Sequence, residues 1–256
     1  MIAARNAPWP TDGVVRVHPA PMELPAKSDQ PGPYRFDDPR PRTEDRLVMR
    51  YTALTIRGCL LELLDWMRDN QVATARGSEV DVDDPDLVEP PTTDSGSALE
   101  AYLLNRRVAR MTTDDPHTVS INDPELQHDL DREPAVRAVL DSQSARDALL
   151  EANGQVVHLD NGAVCLASGT GRDITRACAL SLYDRPEPPE VIHFRSRHDD
   201  SEDCWAIYDH TPVERIDEAP FSPETPAHHG ALMSVATMWD LDLPASWSRP
   251  PPEGHA

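Results

Sequence analysis

The passage RLVMRYTALTIRGCLLELLDWMRDN, residues 46–70, restricts the fold more than any other part of the chain. Residues 46–54 read as a strand that runs directly into a helix over 55–70, with Thr55 as its N-cap. Ile56, Leu60, Leu63, Leu64 and Met67 recur at helical spacing and make one apolar stripe. A striped helix must bury that stripe against another layer of structure. Further strands are expected at GVVRVHP (13–19), HTVSI (117–121), QVVHLD (155–160), EVIHFRSR (190–197) and DCWAIYD (203–209). Helices are expected over 97–111, between 124 and 152, over 168–184 and over 229–241. This alternation predicts a single mixed α/β (α+β) domain spanning 13–210. An acidic, loop-like insert at about 71–95 and a partly irregular tail over 211–256 complete the expected organisation, and both are expected to be dispensable for the core.

The 256 residues carry a formal net charge of −21 and include 26 prolines, so irregular chain is expected between the elements. A field this negative repels phosphate polymers, and direct nucleic-acid binding is not expected. A small anion can still bind where a few arginines gather. MIAARNAPWPTDG lacks the apolar core of a signal peptide, and no segment approaches the length needed to span a bilayer. The expectation is a cytoplasmic protein with no membrane association. Cys59, Cys165, Cys178 and Cys204 are scattered with no Cys-x-x-Cys pair, and read as reduced thiols.

PGPYRFDDPRPR, residues 31–42, is held by proline on both sides and sets Arg35 between Tyr34 and Phe36, ahead of Asp37 and Asp38. Two readings fit: a surface loop anchored by a salt bridge, or an arginine held rigidly to grip an anion. Glu62 lies off the main stripe, with Cys59 and Trp66 as helical neighbours; it is either a solvated glutamate, which spacing alone favours, or a partly desolvated carboxylate. Tyr51 near its strand end reads as core when taken alone. Ser196, between Arg195 and Arg197, could orient a polar ligand or sit on an edge strand among solvated charges. SGTGRD (168–173) lacks the lysine of a phosphate loop and the dinucleotide fingerprint, so an ordinary helix start is the better reading. His193, His198, Asp199 and Asp200 need not converge, and no metal site is expected. No Ser-His-Asp triad or G-x-S-x-G elbow is legible.

Taken in order, PYRFDDP, VMRYTALTIRGCLLELL, ITRACALSLYD and IHFRSRHDDSEDCWAIYD resemble the RES domain family, from near VVRVHPA to about residue 209 with 71–115 poorly matched. Arg35 matches the arginine of that family's Gly-Arg-Phe-Asn motif, with Tyr34 and Asp37 departing from it. Tyr51 matches its strand tyrosine, Glu62 its helix glutamate, Ser196 its serine and Arg16 a further N-terminal arginine. The resemblance implies an ADP-ribosyltransferase-like fold and an enzyme that consumes NAD as substrate, without cofactor or metal. It implies cleavage of the nicotinamide–ribose bond by a glycohydrolase or phosphorylase, in a toxin of a toxin–antitoxin pair or a defence effector. An ADP-ribosyltransferase acting on a protein, or a non-catalytic RES-like interaction module, are its alternatives. Arg35 would grip a phosphate, Tyr51 would stack on nicotinamide, Glu62 would face the oxocarbenium ion, and Ser196 would orient Glu62 or the amide. Arg16 and Arg195 are further NAD-binding candidates. A helix-turn-helix antitoxin is the implied partner, and a homo-oligomer is compatible with the sequence.

Overall fold

The computed structural model describes residues 9–19, 34–40, 47–65, 67, 95–153, 157–166 and 169–248. The insert expected at 71–95 lies outside the described residues, apart from the start of one helix at Ser95. The fold is mixed α/β, and the chain divides into two compact units. The first comprises the described residues of 1–13, 23–52 and 113–214; the second those of 14–22, 53–112 and 215–256.

In the first unit, β5 (Val191–Arg195) is the central strand of a ladder. It pairs in parallel with β4 (Thr118–Ser120), Ser120 opposite His193, and antiparallel with β6 (Asp203–Tyr208), Arg195 opposite Asp203. Strand β2 (Met49–Ala53) follows β6, where the Thr52 hydroxyl donates to the Trp205 carbonyl at 3.1 Å. Val191, Ile192, Phe194, Cys204, Ala206, Ile207 and Tyr208 are all buried, which accounts for the near-continuous apolar runs of β5 and β6. Among the described residues this unit holds helices α3 (Pro124–Leu130), α4 (Pro134–Leu140), α5 (Gln143–Asn153), α6 (Asn161–Cys165) and α7 (Gly169–Tyr183). Asp123 caps α3 by accepting from the Glu125 amide at 2.9 Å, and Asp160 caps α6 by accepting from Ala163 at 2.8 Å. Helices α4, α5 and α6 pack on α7.

The expected helix start at 168–173 holds from Gly169 on, and Gly171 has a structural reason. A β-carbon there would lie 2.0 Å from the Leu166 carbonyl oxygen, so this glycine permits close approach of the chain to itself. The strand expected at 155–160 does not form over its described residues 157–160; they lead irregularly into α6.

In the second unit, β1 (Val14–Pro19) pairs antiparallel with β3 (Arg106–Thr112), from Val14 opposite Met111 to Pro19 opposite Arg106. Strand β7 (Glu214–Pro220), all but its first residue in this unit, lies beside β3. Helix α1 (Ile56–Leu63) starts at Thr55, whose side chain accepts from the Gly58 amide at 2.9 Å, and ends earlier than the sequence suggests, with Leu64 as C-cap. Helix α2 (Ser95–Leu104) stops at Asn105, whose side-chain amide donates to the Ala101 carbonyl at 2.9 Å. The expected helix over 97–111 is therefore half strand. RRVARMT has short-period alternation at its end, and pairing with β1 outweighs its helix propensity.

The segment beyond 211, expected as a partly irregular tail with a helix over 229–241, holds that helix and a strand besides. It supplies β7 and helix α8 (Pro226–Trp239). Phe221, Leu232, Val235, Ala236, Leu241 and Trp247 are buried with Leu60, Leu61, Leu64, Met67, Leu99 and Leu103 in one core. The sequence does not announce β7, because ERIDEAP is exposed at nearly every position and carries no buried face. Each fully buried leucine contributes about 1.5–3 kcal/mol, so the helix is part of the unit's stability. Leu232→Ala is expected to cost about 2–5 kcal/mol, read as a lower urea midpoint. A midpoint equal to that of the unchanged protein would return this segment to the status of a tail.

Candidate functional site

Arg35 is 6% exposed, and its guanidinium lies against two aromatic faces, 5.4 Å from the Phe36 ring centre and 5.3 Å from that of Phe194. Its Nη2 donates to the Val164 carbonyl at 2.5 Å. Among the described residues its buried Nη1 has no hydrogen-bond partner and no carboxylate pairs with Arg35. Desolvating an ion costs several kcal/mol. Two cation–π contacts return about 0.5–2 kcal/mol each, and a carbonyl bond to a charged donor about 1.5–3 kcal/mol. The offset is partial, and an anion on Nη1 would complete it.

The two aspartates that follow are committed elsewhere. Asp37 accepts from the Tyr34 amide at 2.8 Å and from the Tyr51 hydroxyl at 3.0 Å. Asp38, 2% exposed, accepts from the amides of Arg40 and Leu47 at 2.8 Å and from the Arg40 guanidinium. They fold the loop around Arg35 without pairing with it, and the salt bridge of this stretch joins Asp38 to Arg40.

Tyr51 on β2 closes the same loop. Its hydroxyl accepts from the Phe36 amide at 2.9 Å while donating to Asp37, and its ring centre lies 5.0 Å from that of Tyr34. The two rings are tilted at 42° to each other. Burial pushes the Tyr51 phenol well above its ordinary 10.0, and the Asp37 carboxylate adds to the rise.

Ser196 follows β5 and is fully buried; its amide donates to the Glu202 carbonyl at 3.0 Å and its hydroxyl accepts from the His198 amide at 3.2 Å. Side chains alternate along a strand, so Phe194 and Ser196 share the parity of the face that carries Arg35. His193 and Arg195 have the other parity and line a cavity of about 740 Å³ with Ser120, Asn122, Asn161 and Cys165. Arg195 therefore diverges from Arg35 and Ser196. Sequence reading missed Ser120 and Asp203, which bond to the two nitrogens of His193: Ser120 Oγ to Nδ1 at 3.1 Å and Asp203 Oδ1 to Nε2 at 2.9 Å. His198 is engaged differently, its Nε2 receiving the Arg197 Nε donor at 3.2 Å.

Glu62 and Arg16 belong to the second unit. Glu62 sits on α1, partly exposed; its neighbour Cys59 donates from Sγ to the Val15 carbonyl at 3.1 Å, while Trp66 lies outside the described residues. Arg16 is half-buried on β1 opposite Ala109. Among the described residues no group of three or more His, Cys, Asp or Glu side chains is placed to hold a metal ion, and no helix is long and apolar enough to cross a membrane.

No family model matches the chain, and no curated protein matches it. Among solved structures, a chain of the M. tuberculosis MbcT–MbcA toxin–antitoxin complex matches with a TM-score of 0.43 and 11% identity, over 83% of this chain and 85% of its own length. A likeness of that degree decides nothing about the activity of this chain.

Tyr51→Phe removes the acceptor of the Phe36 amide and the donor to Asp37. It is expected to cost about 1–3 kcal/mol in urea unfolding, and a loss of only a few tenths would mean that the loop holds without it. Alkali gives a second test. Below pH 10.0 both folded and unfolded Tyr51 are neutral and its contribution is fully present. Above that value the unfolded phenol releases its proton while the folded one keeps it, so stability falls as pH rises. Tyr208, whose phenol burial likewise raises and which donates to the Ala179 carbonyl at 2.8 Å, acts in the same direction. Tyrosinate absorbance followed against pH should show two phenols that ionise only on unfolding.

Proposed function

We propose that this chain is an NAD-consuming enzyme of the RES type that cleaves the nicotinamide–ribose bond and acts as a bacterial toxin or defence effector. One observation carries the reading: a buried arginine with an unpaired Nη1, set in an aromatic cradle inside the loop whose sequence resembles the RES arginine motif. A planar guanidinium offers parallel donors that suit a pyrophosphate. Both carboxylates beside Arg35 are occupied by the loop itself, which leaves the charge available to a ligand.

In this reading Arg35 binds a phosphate of NAD and Tyr51 positions the loop and the nicotinamide. The bond from nicotinamide nitrogen to the ribose C1′ breaks with its electron pair leaving on nicotinamide. Glu62 stabilises the cationic sugar, as carboxylates do in glycoside cleavage, and water or phosphate then bonds to C1′. Ser196 orients the reacting groups. Arg16 remains a candidate for the same ligand. NAD is substrate, and no metal or further cofactor enters. The RES resemblance also carries the proposal of a helix-turn-helix antitoxin as partner.

Purified protein incubated with NAD should release free nicotinamide. Arg35→Lys keeps the charge but loses the two-pronged contact. It should weaken NAD binding about tenfold or more, with circular dichroism unchanged; equal affinity would make Arg35 a loop anchor. Glu62→Gln keeps shape and helix propensity and deletes the charge facing the cation. Nicotinamide release should fall about a hundredfold or more with binding largely retained, and an unchanged rate would remove Glu62 from the chemistry. Transfer of the ADP-ribose to a protein in place of its release would shift the reading to a protein-modifying transferase.

A further inference from the structure

We propose that Ser120, His193 and Asp203 form a second site, separate from Arg35, that hydrolyses small carboxylic esters through an acyl-serine. The three residues lie on the adjacent strands β4, β5 and β6. Ser120 is directly opposite His193 in the parallel ladder, and Asp203, opposite Arg195, is diagonal to His193 in the antiparallel one. One face of the sheet therefore carries a hydroxyl and a carboxylate, each within hydrogen-bond reach of the imidazole between them.

The proton positions follow from the partners. A carboxylate oxygen at 2.9 Å can only accept, so His193 carries its hydrogen on Nε2 and donates it to Asp203. That leaves the Nδ1 lone pair facing Ser120 Oγ at 3.1 Å, and the serine hydroxyl donates to it. This is the arrangement in which imidazole acts as general base towards a serine and a carboxylate holds the tautomer, with the two ring nitrogens exchanged relative to the usual triad. The imidazole side chain is 14% exposed, and its ring centre lies 5.4 Å from that of Trp205, which fixes its plane.

Two observations separate this from an ordinary polar row on a sheet. The serine and histidine open onto a cavity of about 740 Å³, large enough for a small ligand. Asn122, on the same wall, is pinned at both ends of its amide: Oδ1 accepts from the Arg195 amide at 3.0 Å and Nδ2 donates to Asn161 Oδ1 at 3.1 Å. A carboxamide nitrogen has two hydrogens, so the second is held in a fixed direction as a donor for a developing oxyanion. Asp123 and Asp200 outnumber Arg195 around the cavity, which disfavours an anionic acyl group and leaves a neutral one.

Ser120 Oγ bonds to the ester carbonyl carbon as its proton passes to His193 Nδ1. The bond from that carbon to the alcohol oxygen then breaks, and the alcohol leaves with the proton from His193. Water next bonds to the acyl carbon, giving a proton to Nδ1; the carboxylic acid departs and Ser120 Oγ regains the proton. The sum is ester plus water to acid plus alcohol. Ser120 and His193 are the catalytic residues, and Asp203 is a positioning residue.

The test uses the full chain with p-nitrophenyl acetate and a fluorophosphonate probe, the adduct being located by peptide mass spectrometry. The wild type should release p-nitrophenol and carry the probe on Ser120, and Ser120→Ala should lose both. His193→Gln and Asp203→Asn should slow labelling about a hundredfold or more with unchanged circular dichroism, whereas Asp203→Glu should restore most of the rate. Folded wild type with no adduct on Ser120, or a labelling rate unaltered in His193→Gln, would overturn the proposal. Nicotinamide release is read separately, so failure here leaves the NAD reading standing.

Discussion

The pleat of β5 governs what the first unit can offer a ligand, because this strand is pinned on both edges and each of its residues must choose a face. Parallel pairing with β4 sets Ser120 opposite His193, and antiparallel pairing with β6 sets Asp203 opposite Arg195. Phe194 then turns to one side and supports the Arg35 guanidinium, while His193 and Arg195 turn to the other and line the cavity. A slip of one residue would exchange the two sets. It would place an imidazole against Arg35 and a phenyl ring in the cavity, with the loss of both arrangements. Val191, Ile192 and Phe194 are all buried in the register that the sheet adopts.

Arg35 shows how such a scaffold can hold an unfavourable charge. An isolated loop would leave its guanidinium in water or pair it with the aspartates two and three positions along. Here Asp37 is drawn to Tyr51 and the Tyr34 amide, and Asp38 to Arg40 and the Leu47 amide. Those bonds close the loop on itself. The arginine is left between two rings, with one carbonyl contact and one unsatisfied nitrogen. A polar group so placed is a net cost to folding until something binds it, and the rest of the first unit has to be stable enough to carry that cost. Burial across β5, β6 and α7 provides the reserve, and Cys178, whose thiol burial pushes up to about 12, lies within it as an inert packing group.

The second unit rests on a different contact. Helix α1 packs on β1 and on α8, and its leucines meet Phe221, Leu232, Val235 and Trp247 from the far end of the chain. Segments separated by well over a hundred residues thus share one apolar core. Glu62 rides on the partly exposed side of that helix, so its position depends on residues that sequence reading had set aside as a tail.

Much of the fold was legible because its signals are local. The apolar runs of β5 and β6, the stripe and Thr55 cap of α1, and the glycine-led start of α7 announce themselves within a few residues. The contact of Arg35 with its neighbour Phe36 is local too, whereas that with Phe194 is not. Strands β3 and β7 were not legible, because the alternation of RRVARMT is confined to its end and ERIDEAP has no apolar face of its own, so that both become strands only through their neighbours. The row of Ser120, His193 and Asp203 left no trace in the sequence at all. Its members are 73 and 10 positions apart, spacings that no periodicity connects. Sequence alone determined which segments are extended or helical wherever burial pattern and capping are local. Tertiary structure decided which strands lie side by side, and therefore which distant hydroxyl, imidazole and carboxylate meet, because strand register is set by burial of the whole sheet and not by any residue's own neighbours.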